Sequence, residues 1–292
     1  MAAKKEPERE LMPLEYVGEL TGAFLNSRQL MSEEFASKFV GTVGAIVTER
    51  LTGMTDKEMK DLDKDSLAEV LYSFRCFLAL GTEEGEAARQ IEEMQLSFAV
   101  RFLKTTYLEK RLKGVSDLRA LLERAHARAV LQRQRQKAVD ARVQLQRPLT
   151  HIVGPEGQKI RPTSYLDQSL LRDYIVREKV AETLFGEGAH PEILKRAAPV
   201  LRFLCEQGAA TQEIIDMVWS CQQGKHEETV RVVYGLIKEV VTDMLPELVA
   251  SLFAKVAQQP PDDYSEMYVE FLKDFTVRPP SWRLRQLRGP AR

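Results

Sequence analysis

Residues 190–226, HPEILKRAAPVLRFLCEQGAATQEIIDMVWSCQQGKH, decide the fold. Pro191 suits the first turn of a helix, where its missing N–H forfeits no hydrogen bond, and Ile193, Leu194, Ala197, Val200, Leu201 and Leu204 then recur at helical spacing. Gly208 stops that helix. Thr211 is placed to cap a second one, whose Ile214, Ile215, Val218 and Trp219 share a face until Gly224 ends it. The stretch predicts a helical hairpin.

The same pattern extends outward on both sides. Downstream, a helix starts near His226 and carries Val230, Val233, Tyr234, Ile237, Val240, Val241 and Leu245. Pro246 opens another, Pro260-Pro261 closes it, and Tyr264, Met267, Tyr268, Phe271, Leu272 and Phe275 mark a last helix. Upstream, Ser164 begins a pattern through Leu166, Leu170, Leu171, Tyr174, Ile175, Val180 and Leu184 that ends at Gly186 and Gly188. Residues 148–163, PLTHIVGPEGQKIRPT, are too rich in proline and glycine for a helix and read as a linker.

Before that linker, Leu14–Leu25 predicts a first helix, and Ser32 caps a second through Phe35, Phe39, Val43 and Ile46 to Gly53. Gly41 and Gly44 inside it either weaken the helix or permit close packing. Residues 55–66, TDKEMKDLDKDS, are too charged for core and read as a connector ending in a cap at Ser66. A helix on Leu67, Val70, Leu71, Phe74, Phe77 and Leu78 follows, with Gly81 and Gly85 as its break, then one through Ile91, Met94, Leu96, Phe98 and Phe102. Tyr107–Leu122 predicts a short helix, a glycine joint and the start of a longer helix.

No β pattern appears, so the expected class is all-α, either an armadillo- or HEAT-like α-solenoid or an irregular helical array, with helix pairs every ~35 to 45 residues. The expected organisation is a disordered N-terminus (1–13), an N-terminal helical array ending in a basic helix (14–147), the linker (148–163), an armadillo-like helical domain (164–276) and a mobile Arg/Pro tail (277–292). The composition, 44% hydrophobic and 29% charged, is that of a chain able to bury a core. No apolar run reaches the ~18 residues of a membrane span, and the first ten residues have no signal-peptide core, so a soluble chain with no membrane partner is expected, cytoplasmic or also nuclear.

Charge is uneven: residues 108–147 carry 11 Lys+Arg against 4 Asp+Glu, whereas residues 1–100 carry 11 against 19. The candidate partner-binding basic face is Arg124, Arg128, Arg133, Arg135, Lys137, Arg142 and Arg147, within RAHARAVLQRQRQKAVDARVQLQR. It has no aromatic residue for base stacking, so nucleic acid is not the expected partner, and a solvated helix face is the plainer reading.

The three cysteines, Cys76, Cys205 and Cys221, sit in apolar helical patterns without CxxC spacing, and read as buried reduced thiols. Cys205 and Cys221 lie late in their helices, where the negative dipole end disfavours a thiolate. Of the four histidines, His126, His151, His190 and His226, none shows ligand spacing, and His190 and His226 stand at helix starts, where capping or packing is the expected role. No GxGxxG or GxxxxGK[ST] cradles phosphate. Neither a catalytic residue, a metal site nor a cofactor is expected.

The run from Tyr165 to Val256 resembles the armadillo-like helical region of the very large ubiquitin-specific proteases of the fat-facets type. LFGEGAHPEILKRAAPVLRFL and IIDMVWSCQQGKHEETVRVVYGLI carry most of the likeness, and YLEKRLKGVSDL, residues 107–118, resembles an element that precedes them there. The resemblance implies a non-catalytic scaffold in the deubiquitinase system, with proteins of the ubiquitin pathway as partners. That family's catalytic domain has a GLxNLGNTCYMN-like cysteine box and a distant histidine box, and neither context surrounds Cys76, Cys205 or Cys221. Part of a longer protease, a truncated product and a stand-alone relative all fit this reading. The alternatives are a stand-alone helical-repeat adaptor binding an acidic protein or RNA through residues 124–147, and a cysteine hydrolase.

Overall fold

The computed structural model describes residues 12–144, except 63 and 82, and residues 165–277. Among these residues there are thirteen α-helices and no strand. The chain divides into two compact units, one to Gln95 and one from Leu96. This division falls within a helix and differs from the expected one, which set the boundary at residues 148–163. That linker, the first eleven residues and the tail from Arg278 lie outside the described residues.

The first unit holds α1 (Leu14–Asn26), α2 (Glu33–Thr52), α3 (Asp56–Asp61), α4 (Lys64–Leu78) and most of α5 (Glu84–Leu103). Ser32 caps α2 as expected, its Oγ accepting from Phe35 N at 3.3 Å. α4 packs on α1 and α2 through Phe74 and Phe77, both fully buried, with Phe24 5.9 Å from Phe77. Gly44 permits close packing, since an added Cβ would lie 3.2 Å from a Leu78 methyl, while at Gly41 it would meet nothing. The charged connector is more structured than the sequence suggests. Thr55 and Glu58 form a reciprocal capping box that starts α3, and Met59 is buried in the core. Ser66 lies inside α4, so it is not a cap.

The second unit continues with α6 (Leu108–Gln144), α7 (Gln168–Arg177), α8 (Val180–Phe185), α9 (Pro191–Glu206), α10 (Gln212–Ser220), α11 (Glu227–Val240), α12 (Pro246–Ala257) and α13 (Glu266–Val277). α6 is continuous through the expected glycine joint. Gly114 serves close packing instead, because a Cβ there would stand 2.5 Å from the Ala99 carbonyl oxygen and 2.8 Å from Leu103 N. The expected single helix after residue 164 is two, α7 and α8. Asp167 caps α7 through Leu170 N at 2.8 Å, and Lys179, with φ 53°, turns the chain so that Val180, Ala181, Leu184 and Phe185 all become buried.

The hairpin of residues 190–226 folds as its sequence dictates. Pro191 occupies the first turn of α9, and the helix ends in a Schellman motif: Gly208 (φ 65°) donates to the Cys205 carbonyl at 3.1 Å and Ala209 to the Leu204 carbonyl at 2.8 Å. Thr211 caps α10, and Gly224 (φ 62°) follows its end. His190 and His226 are helix caps, each with Nδ1 accepting from the backbone two residues on, at 3.2 and 3.3 Å. His190→Ala is therefore expected to cost about 1 kcal/mol in urea unfolding, with His190→Asn recovering most of it.

α9 is the hub of this unit, packing on both α6 and α11 and burying nine residues from Ile193 to Cys205. Beyond it the helices form two files, α8–α10–α12 and α9–α11–α13, each helix touching the next in its file. Contact running from each helix to the next along a file is the packing logic of a helical repeat. Pairs start at Val180, Gln212 and Pro246, a shorter period than expected from the sequence.

Candidate functional site

Two of the three free thiols, Cys205 and Cys221, are buried. Burial pushes Cys205 up to about 12, with Asp243 and Glu206 adding to it, and pushes Cys221 up to about 11 against a small opposing effect of Lys225. Cys221 Sγ donates to the Phe185 carbonyl at 3.2 Å. Both thiols are held protonated near neutral pH, the opposite of what a nucleophile requires. Cys76 is half-buried on α4. The cap bonds occupy the Nδ1 lone pairs of His190 and His226, and His126 is exposed, 3.9 Å from Glu206. His151 lies outside the described residues. No hydrogen bond joins a cysteine to a histidine, and no group of three or more His, Cys, Asp or Glu is placed to hold a metal, among the described residues.

The candidate basic face is divided by the helix that carries it. On α6, at 3.6 residues per turn, Arg124, Arg128 and Arg135 fall on one side and Arg133 and Lys137 on the opposite side, about 180° away. Arg128 and Arg135 border a small hollow of about 230 Å³ with Leu131 and Gln132. Arg128 is half-buried, and its Nη1 is buried without a hydrogen-bond partner among the described residues. The Arg142 side chain and all of Arg147 lie outside the described residues.

A larger feature escaped the sequence reading. A groove of about 1110 Å³ runs between the turn after α10, helix α11 and helix α13. Trp219, Tyr234, Tyr268 and Phe271 form its base. Tyr234 stacks on Phe271 with centroids 4.4 Å apart, Tyr268 lies 5.9 Å from Tyr234, and the Tyr268 hydroxyl donates to the Val256 carbonyl at 2.6 Å. One wall carries Lys225 and Arg231, the other Glu266 and Glu270. Arg231 pairs with Glu227 at 3.0 Å, and Lys238, also lining the groove, pairs with Asp274 at 2.8 Å. The apolar residues were legible as helix faces, but their convergence needs the pairing of α11 with α13, which periodicity does not encode.

Near the start of α9 a second charged cluster ties this helix to α11. Lys195 Nζ reaches Glu192 at 2.6 Å and Glu228 at 3.0 Å, and Arg196 reaches Glu192 at 2.8 Å. Lys195 and then Arg196 hold the Glu192 carboxyl down to about 2. An NMR titration is expected to find it there, and Lys195→Met should move it up toward the ordinary 4.5.

These helices have known counterparts. A family model described as the UBP24/USP9X/USP9Y ARM repeat matches residues 89–267. The chain belongs to this ARM repeat family. The match begins within α5, at residue 89, and ends at the start of α13, so it covers the α9 hub and the two files as far as α12 and α11, whereas Tyr268, Glu270 and Phe271 of the groove lie just beyond it. Among curated relatives, the probable ubiquitin carboxyl-terminal hydrolase FAF of Drosophila melanogaster is 24% identical over 230 residues, 77% of this chain and 8% of that protein. Ubiquitin carboxyl-terminal hydrolase 9Y of Homo sapiens is 19% identical over 247 residues, 82% of this chain and 9% of its own length. Ubiquitin carboxyl-terminal hydrolase 34 of Homo sapiens is 28% identical over 96 residues, 33% of this chain and 3% of its own. The chain thus spans less than a tenth of the length of these relatives. None of the helices described is long and apolar enough to cross a membrane.

Proposed function

We propose that this chain is a non-catalytic helical-repeat scaffold of the deubiquitinase system, which holds protein partners or substrates of the ubiquitin pathway in the cytoplasm. The observation that carries the reading is the ARM repeat match over residues 89–267. Two features support it. Cys205 and Cys221 are kept protonated by burial, and the second unit presents a groove of about 1110 Å³ with mixed apolar and charged lining, of the kind that suits a polypeptide better than a small substrate. The reading of residues 124–147 as one docking face is less favoured, because Arg124, Arg128 and Arg135 fall on the side of α6 opposite Arg133 and Lys137.

The test is capture with the full chain immobilised. Retention of a defined ubiquitin-pathway protein, such as a polyubiquitin chain or a ubiquitin-specific protease, without cleavage of a ubiquitin–fluorophore conjugate is the expected result. Cleavage of that conjugate by the chain, with no such protein retained, would count against the proposal.

A further inference from the structure

Gly235 stands in the middle of α11, where a glycine costs about 1 kcal/mol relative to alanine. Nothing inside the protein requires it. Its φ is not positive, and an added Cβ would meet no atom within 4 Å. Gly235 instead lines the groove, so its missing side chain leaves the α11 backbone open to whatever lies there. Tyr234 beside it is 6% exposed, and its hydroxyl has no hydrogen-bond partner among the described residues. On the facing wall Glu266 and Glu270 are exposed, one helical turn apart, and neither has an ion-pair partner among the described residues. Like charges at this spacing repel by a few tenths of a kcal/mol. The groove's cations Arg231 and Lys238 are already neutralised by Glu227 and Asp274, which leaves Lys225 at the turn against two carboxylates.

We infer that this groove is a docking site for an arginine-bearing segment of a partner protein, whose backbone passes over Gly235 and whose guanidinium groups pair with Glu266 and Glu270. The inference rests on the scaffold reading and gives it a partner chemistry. Arginine suits the site because its planar fork pairs with carboxylates in two hydrogen bonds while its stem lies on apolar surface. The Tyr234 hydroxyl supplies a further polar contact at the base.

The test uses the full chain and a fluorescein-labelled decapeptide alternating leucine with arginine, followed by anisotropy, with a glutamate-for-arginine peptide as the counterpart. The arginine peptide is expected to bind, and to lose about tenfold or more in affinity in Gly235→Gln and in the pair Glu266→Gln/Glu270→Gln. Gly235→Gln should melt no lower than the wild type, because glutamine is the better helix former, so its loss of binding does not come from unfolding. Equal binding by wild type and variants would overturn the inference, as would preference for the glutamate peptide. A concentration-dependent dimer abolished by Gly235→Gln would overturn it too, by giving the groove to a second copy. If the variants bind the peptide like wild type while the immobilised chain still retains its ubiquitin-pathway protein, the groove assignment falls and the scaffold reading stands.

Discussion

Leu201→Ala is expected to destabilise the second unit by about 3 kcal/mol, within the ~2 to 5 kcal/mol range of leucine truncations in packed cores. Leu201 is fully buried in α9, the helix that packs on both α6 and α11. Truncation there removes apolar contacts and leaves a cavity that α9 is poorly placed to close, because its neighbours hold it from two sides. Urea unfolding followed by Trp219 fluorescence, in a Trp282→Phe background, measures the loss. A cost below ~1 kcal/mol would mean that α9 is not the hub. In a repeat array the defect should also weaken the neighbouring pairs, α8 with α10 and α11 with α13, rather than α9 alone.

The second large effect lies in the first unit. Arg50 is 6% exposed on α2, and its Nε donates to the Met12 carbonyl at 2.5 Å while Nη2 pairs with Glu58. Glu58 also closes the capping box of α3, accepting from Thr55 N at 2.7 Å. One guanidinium thus joins the chain before α1 to α2 and to the cap of α3. Nη1 is buried without a hydrogen-bond partner among the described residues, so part of the desolvation cost of this arginine is uncompensated. Arg50→Ala leaves the Met12 carbonyl and the Glu58 carboxylate without this partner and opens a cavity, for an expected cost of about 2 to 3 kcal/mol, the pair being discounted because Glu58 is partly exposed. Arg50→Lys should fall between, since an ammonium cannot serve both partners in the same geometry.

This pair has a pH signature. The backbone hydrogen bond from Thr55, then the Thr55 side chain and Arg50, hold the Glu58 pKa below its ordinary 4.5. A depressed carboxyl contributes stability that is full above the unfolded value and is lost as pH falls through the folded one. The difference between wild type and Arg50→Ala should therefore narrow below pH 4.5. It should not vanish, because the Met12 contact does not titrate.

How much of this could be read from the sequence depends on whether the signal is local. The α9–α10 hairpin was legible because each of its ends is written in one residue: Pro191, Gly208, Thr211 and Gly224 act through their own backbone geometry or side-chain oxygen. The break at Lys179 was not, since no glycine or proline marks it and the burial of α8 imposes the left-handed turn. Gly114 misled for the converse reason: a glycine that ends a helix and one that admits a neighbouring backbone look alike until α5 is seen against it. Met59 was hidden among charges, in a helix too short for periodicity to register. The basic segment was read by composition, which counts arginines without their direction, and α6 separates them by half a turn. The groove draws Trp219, Tyr234 and Phe271 from three helices, so its recognition had to await their packing.

As a proposed scaffold of the deubiquitinase system rather than a thiol hydrolase, this chain should not react with ubiquitin electrophiles. The most direct measurement is intact-mass analysis of the full chain after incubation at neutral pH with ubiquitin bearing a C-terminal electrophile, beside an active ubiquitin-specific protease as control. Full conversion of the control and an unchanged mass for this chain are the expected results. A mass increase of one ubiquitin, mapped to Cys76, Cys205 or Cys221, would contradict the scaffold reading.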